Sequence, residues 1–151
     1  MEQQVRHSGP PGNAPEYNTA GALIGGGAAG LVGAGIWYAI AAFTGYEVGY
    51  IAWGIGFIVG FGAAKGGQVG TPANGLLAAG LSAASILLGK FLATRAAIAD
   101  YLVSEGVDAA PTTSMVLELL PETLGIIDIV FFGLALYTAW QVASGGGGGG
   151  E

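Results

Sequence analysis

Two ionisable residues, Lys90 and Asp128, stand near the ends of long uncharged stretches of the sequence. A carboxylate or an ammonium ion in an apolar environment is costly unless it is paired, hydrated or neutralised, and such residues often bind protons or ions. Lys90 lies near the end of one predicted helix and Asp128 near the start of the next, so both are expected at the same depth. We therefore predict that Lys90 and Asp128 form an ion pair between two helices.

The remaining polar residues offer no set that would support catalysis or metal binding. Ser82 and Ser85 have no histidine or cysteine near them, so a nucleophile and its base are not paired. Glu105 and Asp108 are three residues apart but lack further metal ligands, so we predict that they form a solvated acidic face. There is no cysteine, and the single histidine, His7, lies in a polar leader. We predict no catalytic, cofactor-binding or metal-binding residue, and no enzymatic activity.

A glycine-rich run at the start of the first apolar stretch resembles a nucleotide-binding motif. Residues 25–30 satisfy G-x-G-x-x-G, which in dinucleotide-binding folds follows a strand and opens a helix. Only three apolar residues precede the run here, and the following helix has no polar face to meet water. Because 30 of the 151 residues are glycine, such a match arises easily by chance. We therefore predict no nucleotide site.

The composition indicates a protein that is solvated by lipid. Only 9% of the residues are charged and 52% are hydrophobic, whereas a soluble domain carries about 25% charged residues. The net charge is −6 with four basic residues, so no basic patch is present to contact the phosphates of nucleic acid. We predict an integral membrane protein whose main partner is the lipid bilayer and which binds no nucleic acid.

The uncharged stretches predict an all-α, polytopic membrane protein, because about 20 apolar residues in a helix cross the hydrocarbon layer. The domain at 20–143 is predicted to contain four transmembrane helices, at about 20–43, 47–64, 74–95 and 122–143, which places the Lys90–Asp128 pair within the membrane. The other predicted segments are a disordered polar leader (1–19), an acidic loop (96–121) and a flexible glycine tail (144–151). Within 96–121 the third helix is expected to continue out of the bilayer, with Ile98 and Leu102 on one face. Residues 111–120 are predicted either as a second short helix or as loop.

Small residues recur at every fourth position in these stretches, which places them on one face of each helix. In lipid, apolar side chains gain nothing by leaving their surroundings, so helices associate through close backbone approach. We predict a bundle of four helices that packs through these glycines and alanines; the alternative is that the same faces bind a second copy or another protein. The predicted packing residues are Gly26, Gly30 and Ala34 in the first helix and Ala52, Gly56, Gly60 and Ala64 in the second.

Residues 44–67 resemble a transmembrane hairpin of small uncharacterised bacterial inner-membrane proteins. They contain a TGYE turn at residues 44–47, a second span with a GxxVGxG-like glycine pattern, and a basic, glycine-rich loop at Lys65. The last span, from Asp128 to Ala139, is also similar to the final helix of those proteins. The resemblance implies a multi-pass protein of the bacterial inner membrane with the Lys65 loop, and hence the N-terminus, in the cytoplasm. It implies no activity.

Taken together, these features predict a structural or assembly protein that binds a second copy of itself or a larger membrane protein. Two alternatives remain open. Asp128 is the one candidate for proton or cation transfer, so the chain could be a component of a small transporter or channel. The small size and apolar composition are also compatible with a pore-forming or membrane-perturbing factor.

Overall fold

The computed structural model describes residues 12–46 and 49–145, and all regular secondary structure in these two ranges is helical. A 3₁₀ turn at Leu120–Thr123 joins the last two helices. In chain order the helices are α1 (Thr19–Thr44), α2 (Tyr50–Gly67), α3 (Pro72–Ser104), α4 (Thr113–Leu119) and α5 (Ile126–Ser144).

The ends of the long helices are set by residues that satisfy or terminate the backbone hydrogen bonds. The side chain of Asn18 accepts a hydrogen bond from an amide in the first turn of α1, and Thr71 does the same for α3. Pro72 then occupies the first position of α3, where its missing N–H is not needed. Gly45 and Gly145 end α1 and α5 with φ angles of 68° and 79°, which favour glycine.

The four long helices pack side by side around a common interior. α1 contacts α2 and α3, α5 also contacts α2 and α3, and α2 and α3 contact each other across the middle. α1 ends, and α2 and α5 begin, at one end of this assembly, which we call the Gly45 end. The opposite end, where α1 and α3 begin, is the Thr71 end. At the Thr71 end the amide of Asn18 donates to the carbonyl of Gly67, 3.0 Å away.

α3 is much longer than its neighbours and extends past them at the Gly45 end. It has 33 residues against 19 in α5, so at about 1.5 Å per residue the two measure about 50 and 28 Å. α4 and the 3₁₀ turn pack against this projecting part of α3. Val116 of α4 is completely buried there.

Three of the helices, α1, α3 and α5, are long and apolar enough to cross a membrane. α2 does not belong to this set, so the predicted bundle of four transmembrane helices is not confirmed. The reason lies in its composition, because six of its 18 residues are glycine and its last turn carries Lys65. Glycine contributes no apolar side chain, so the feature that lets α2 pack closely also lowers its hydrophobicity.

Several predicted boundaries need correction. In the acidic stretch at 96–121, α3 continues to Ser104 as expected, and α4 at 113–119 decides between the two alternatives in favour of the short helix. The last long helix begins at Ile126 and not at 122, because Glu122 belongs to the 3₁₀ turn and the residue after that turn is extended. Residues 1–11 of the predicted leader and 146–151 of the predicted glycine tail lie outside the described residues.

Candidate functional site

The small residues predicted in α1 face its neighbours within the chain. Gly26 and Gly30 are buried, and Ala34 is 1% exposed. A Cβ atom added at Gly26 would lie 2.8 Å from Leu81 of α3, and one at Gly30 would overlap the side chain of Ser85. This face therefore packs against α3 and α2, and it is not available to a second copy.

The predicted glycines of α2 face α5. Gly56 lies directly against the backbone of Ala135, and a Cβ atom at Gly60 would come within 2.9 Å of the Cα atom of Ala139. Both alanines are completely buried. The α2–α5 contact is therefore a backbone-to-backbone approach at two successive turns, which only residues without bulky side chains permit.

The first and last residues of the predicted α2 series, Ala52 and Ala64, differ in burial. Ala52 is 2% exposed and belongs to the central apolar cluster. Ala64 is only half-buried, whereas its neighbour Ala63 is completely buried. The four-residue spacing therefore drifts off the buried face by the last turn of α2.

The same helix packs against α1 through a second set of glycines. Gly62 and Gly66 lie against the backbone of Gly25 and Gly21, so two glycine pairs face each other across the α1–α2 contact. α2 thus presents glycines on two faces, one toward α1 and one toward α5. The period of four predicted one face, and the second became evident only when the helices were placed together.

We predict that the α2–α5 contact is intolerant of side-chain volume. Gly56→Leu is expected to lower the thermal unfolding midpoint of the detergent-solubilised protein strongly, because the added atoms meet the backbone of Ala135 and force the helices apart. The cost should be at least about 1–3 kcal/mol. Gly54→Leu is the matched control, because a Cβ atom at Gly54 contacts nothing within 4 Å. Equal loss of stability in both variants would contradict the described contact.

The structure brings Lys90 and Asp128 together. Their Nζ and Oδ2 atoms are 3.6 Å apart, and the two side chains are 3% and 23% exposed. The Lys90 ammonium also lies 6.0 Å from the centre of the Trp37 ring, a cation–π distance. The pair therefore connects α3 to α5 in the interior of the molecule.

Asp128 has a second role that its sequence position did not indicate. Sequence reasoning placed it about six residues inside a span, whereas it is the third residue of α5, because the chain becomes helical only after Gly125. Its Oδ2 atom accepts a hydrogen bond from the amide of Gly125, 3.0 Å away. A carboxylate in the first turn satisfies an amide that has no helical partner and stabilises the positive end of the helix dipole.

A cavity of about 150 Å³ adjoins the ion pair. Apart from Lys90 and Asp128 its walls are apolar, with Trp37, Ile86 and Phe132 among them. The indole nitrogen of Trp37 is buried and has no hydrogen-bond partner within the described ranges. The space is large enough for a water molecule and has polar groups beside it that could bind one.

Asn74 connects three helices, a role that was not predicted from the sequence. Its side chain is completely buried at the Thr71 end, and its Nδ2 atom donates to the carbonyl oxygens of Ala63 at 3.2 Å and Ala143 at 3.1 Å. One amide therefore connects α3 to the last turns of both α2 and α5. The sequence feature that could have indicated this role is the position of Asn74 in the first turn of a helix, three residues after the Thr71 cap. The chain has few asparagine and glutamine side chains.

The serines singled out from the sequence are structural in this geometry. Ser82 is completely buried, and Ser85 donates to the carbonyl of Leu81 at 2.7 Å. In the parts of the chain that the structure describes, no group of three acidic, histidine or cysteine residues is placed to hold a metal ion. His7 and Glu47 lie outside the described residues.

No family model matches the sequence, and neither a curated protein nor a solved structure matches it. The resemblance of residues 44–67 to bacterial inner-membrane hairpins therefore stays a prediction.

A double-mutant cycle separates the two roles of Asp128. Asp128→Asn retains an oxygen that can accept from Gly125 but removes the charge beside Lys90, so it should destabilise the protein by about 1–3 kcal/mol. Asp128→Ala removes both interactions and should cost about 1 kcal/mol more, the usual value of a helix cap. In a Lys90→Met background, Asp128→Asn should cost much less, whereas the further cost of the alanine should persist.

The measurement is the thermal unfolding midpoint of each variant in the same detergent. If Asp128→Asn costs as much in the Lys90→Met background as it does in the wild-type chain, the ion pair does not contribute to stability.

Proposed function

We propose that this chain is a multi-pass membrane protein with a structural or assembly role and no catalytic activity, and that all four long helices cross the bilayer. The observation that carries the proposal is the surface of the molecule. Every long helix exposes large apolar side chains, which lipid solvates and water does not. Examples are Ile24 (72% exposed), Phe57 (51%), Leu76 (72%) and Ile129 (62%), one from each long helix.

α2 is included among the spans because of its neighbours and its length. It is packed against α1, α3 and α5, and its 18 residues measure about 27 Å, close to the thickness of the hydrocarbon layer. Phe57 and Phe61 point away from these contacts and are each 51% exposed. An element held between apolar helices on several sides must lie at the same depth as they do.

The geometry of Asp128 favours a structural role over ion transfer. Its carboxylate caps α5 and approaches Lys90, so both its position and its hydrogen bonding are explained by stability. Asn74 connects the same helices at the other end. A protein whose buried polar groups join its helices at both ends is better suited to a fixed shape than to alternating states.

We further propose that the protein resides in the bacterial inner membrane with its N-terminus in the cytoplasm, and that it binds a second copy or a larger membrane protein. The small residues that face inward are already used within the chain. Gly27 and Gly35 on α1 are different, because a Cβ atom at either would contact nothing within 4 Å. Both positions are open on the surface of α1, one turn before and one turn after the exposed Leu31.

The proposal predicts a partner that depends on this outer surface. After crosslinking in membranes and purification in mild detergent, the wild-type chain should be recovered with a stoichiometric partner or as a dimer. The double variant Gly27→Leu/Gly35→Leu should lose at least about 90% of this crosslinked product, because the added side chains prevent close helix approach. Its thermal unfolding midpoint should change little, since both positions are open.

Gly54→Leu, an equally open position on α2, serves as the control for a general effect of added leucine. A wild-type chain that stays monomeric and uncrosslinked, in membranes of the organism that makes it, would contradict the assembly role.

A further inference from the structure

A cleft of about 600 Å³ opens at the Gly45 end, between the last turn of α1, the projecting part of α3 and the α4 segment. Its walls are mainly apolar and include Ala97 and Ile98 of α3 and Met115 and Leu119 of α4. Binding sites for small molecules have volumes of about 300–1,000 Å³ and are likewise lined mainly by apolar side chains. The contacts between the helices leave the cleft open, and the Lys90–Asp128 pair does not line it.

Two carboxylates line the cleft, those of Asp100 and Glu122, and among the described residues no lysine, arginine or histidine lines it. Both residues are exposed, and within the described ranges neither forms an ion pair. Two like charges beside apolar walls create a negative potential that attracts cations. The same charges repel an anionic group, for which the lining offers no counter-ion.

A second polar group occurs in the same lining. Thr94 is 5% exposed, and its hydroxyl is buried without a hydrogen-bond partner in the described part of the chain. Thr94 lies six residues before Asp100 on α3, about 9 Å along the helix axis. It therefore lies at the inner end of the cleft, whereas the two carboxylates lie at its outer end.

With α1, α3 and α5 crossing a bilayer, as their length and composition allow, the cleft lies near the membrane surface. α5 begins at Ile126, and the part of α3 that lines the cleft lies beyond the level of the Lys90–Asp128 pair. A molecule in the cleft would therefore meet lipid on one side and water on the other. The chain end that follows Gly145 starts at the opposite end, where Gly145 contacts Gly70, so it does not begin near the cleft.

We propose that this cleft binds a cationic amphiphile, meaning a molecule with an apolar chain, an ammonium head and no anionic group. The apolar chain lies along the alanine and leucine side chains of the walls. The ammonium head lies between Asp100 and Glu122, where charge-assisted hydrogen bonds to carboxylates are strong. This inference stands apart from the assembly role and does not depend on it.

The probe is dodecylammonium, with dodecanol as its neutral counterpart of equal chain length. Each is titrated, below the concentration at which it self-associates, into the full-length protein in dodecyl maltoside, and the thermal unfolding midpoint is recorded. We expect dodecylammonium to raise the midpoint in a saturable manner. Dodecanol should require about tenfold more ligand, or more, for the same effect.

Two double variants with equal change of net charge identify the site. Asp100→Asn/Glu122→Gln should raise the half-saturating concentration of dodecylammonium by about tenfold or more. Glu105→Gln/Glu118→Gln removes two exposed carboxylates that do not line the cleft and should leave it within about twofold. All four positions are exposed, so both proteins are expected to fold.

A third variant tests the space itself. Ala97→Trp fills the cleft and should weaken binding of both probes, whereas Val103→Trp, an exposed position on α3 outside the lining, should not. Equal binding by the two charge variants would mean general attraction to an acidic surface, and equal binding of the amine and the alcohol would mean apolar filling alone. Either result, or undiminished binding by Ala97→Trp, would overturn the proposal.

Discussion

The structure depends on how closely the backbones of neighbouring helices approach one another. In lipid, burying an apolar side chain releases no water, so helix association must come from van der Waals contact and a few polar interactions. The pairs Gly62–Gly25 and Gly56–Ala135 supply that contact on two different faces of one helix. α2 is thereby held between α1 and α5, although it is the one long helix that is not apolar enough by composition to cross a membrane. Its glycines are the reason for both properties.

Polar side chains fix the arrangement that the small residues allow. Asn74 connects three helices at the Thr71 end, and Lys90 with Asp128 connects two at the Gly45 end. A third interaction, from the indole nitrogen of Trp53 to Thr138 at 3.0 Å, joins α2 to α5 between them. Smooth helices packed through glycine can slide along each other, and directional hydrogen bonds at different depths remove that freedom.

The Gly45 end combines the features that are unusual for a bundle of apolar helices. α3 continues beyond the other helices, the acidic residues gather there, and α4 folds back onto the extension. An extended helix that only projected into water would expose Ile98, which is instead 9% exposed. The short helix therefore completes a small apolar surface outside the main bundle, and the cleft is the space that remains between the two.

The sequence predicted the order of the four long helices and the ends of α1 and α2 to within a few residues, because charges, caps and glycines mark those ends locally. The end of α3 and the start of α5 were predicted less well. At 111–120 the sequence left a short helix and a loop as alternatives, since a helix of this length depends on its packing against α3. The approach of Lys90 to Asp128 was predicted from their matching depth, and their distance supports the reasoning. The role of Asp128 as a helix cap was not predicted, because such a prediction depends on knowing the first residue of α5.

Other features could not be predicted from the sequence, because they depend on contacts between segments that are distant along the chain. A glycine period shows that a helix has a smooth face but not which helix covers it, so the pairing of α2 with both α1 and α5 was open. Asn74 carried no motif, because its importance comes from two carbonyl oxygens that are distant in the sequence. The cleft has the same origin, since its walls come from three separate segments.

Labelling of single cysteines in sealed vesicles determines whether the chain crosses the bilayer four times, with α2 as a span. The sequence contains no cysteine, so Ala14→Cys, Gln68→Cys and Thr112→Cys each report one position to a membrane-impermeant thiol reagent. With α2 as a span, positions 14 and 68 react from the same side and position 112 from the other. Reaction of position 68 from the side opposite to position 14 would show that α2 does not cross, and would contradict the account.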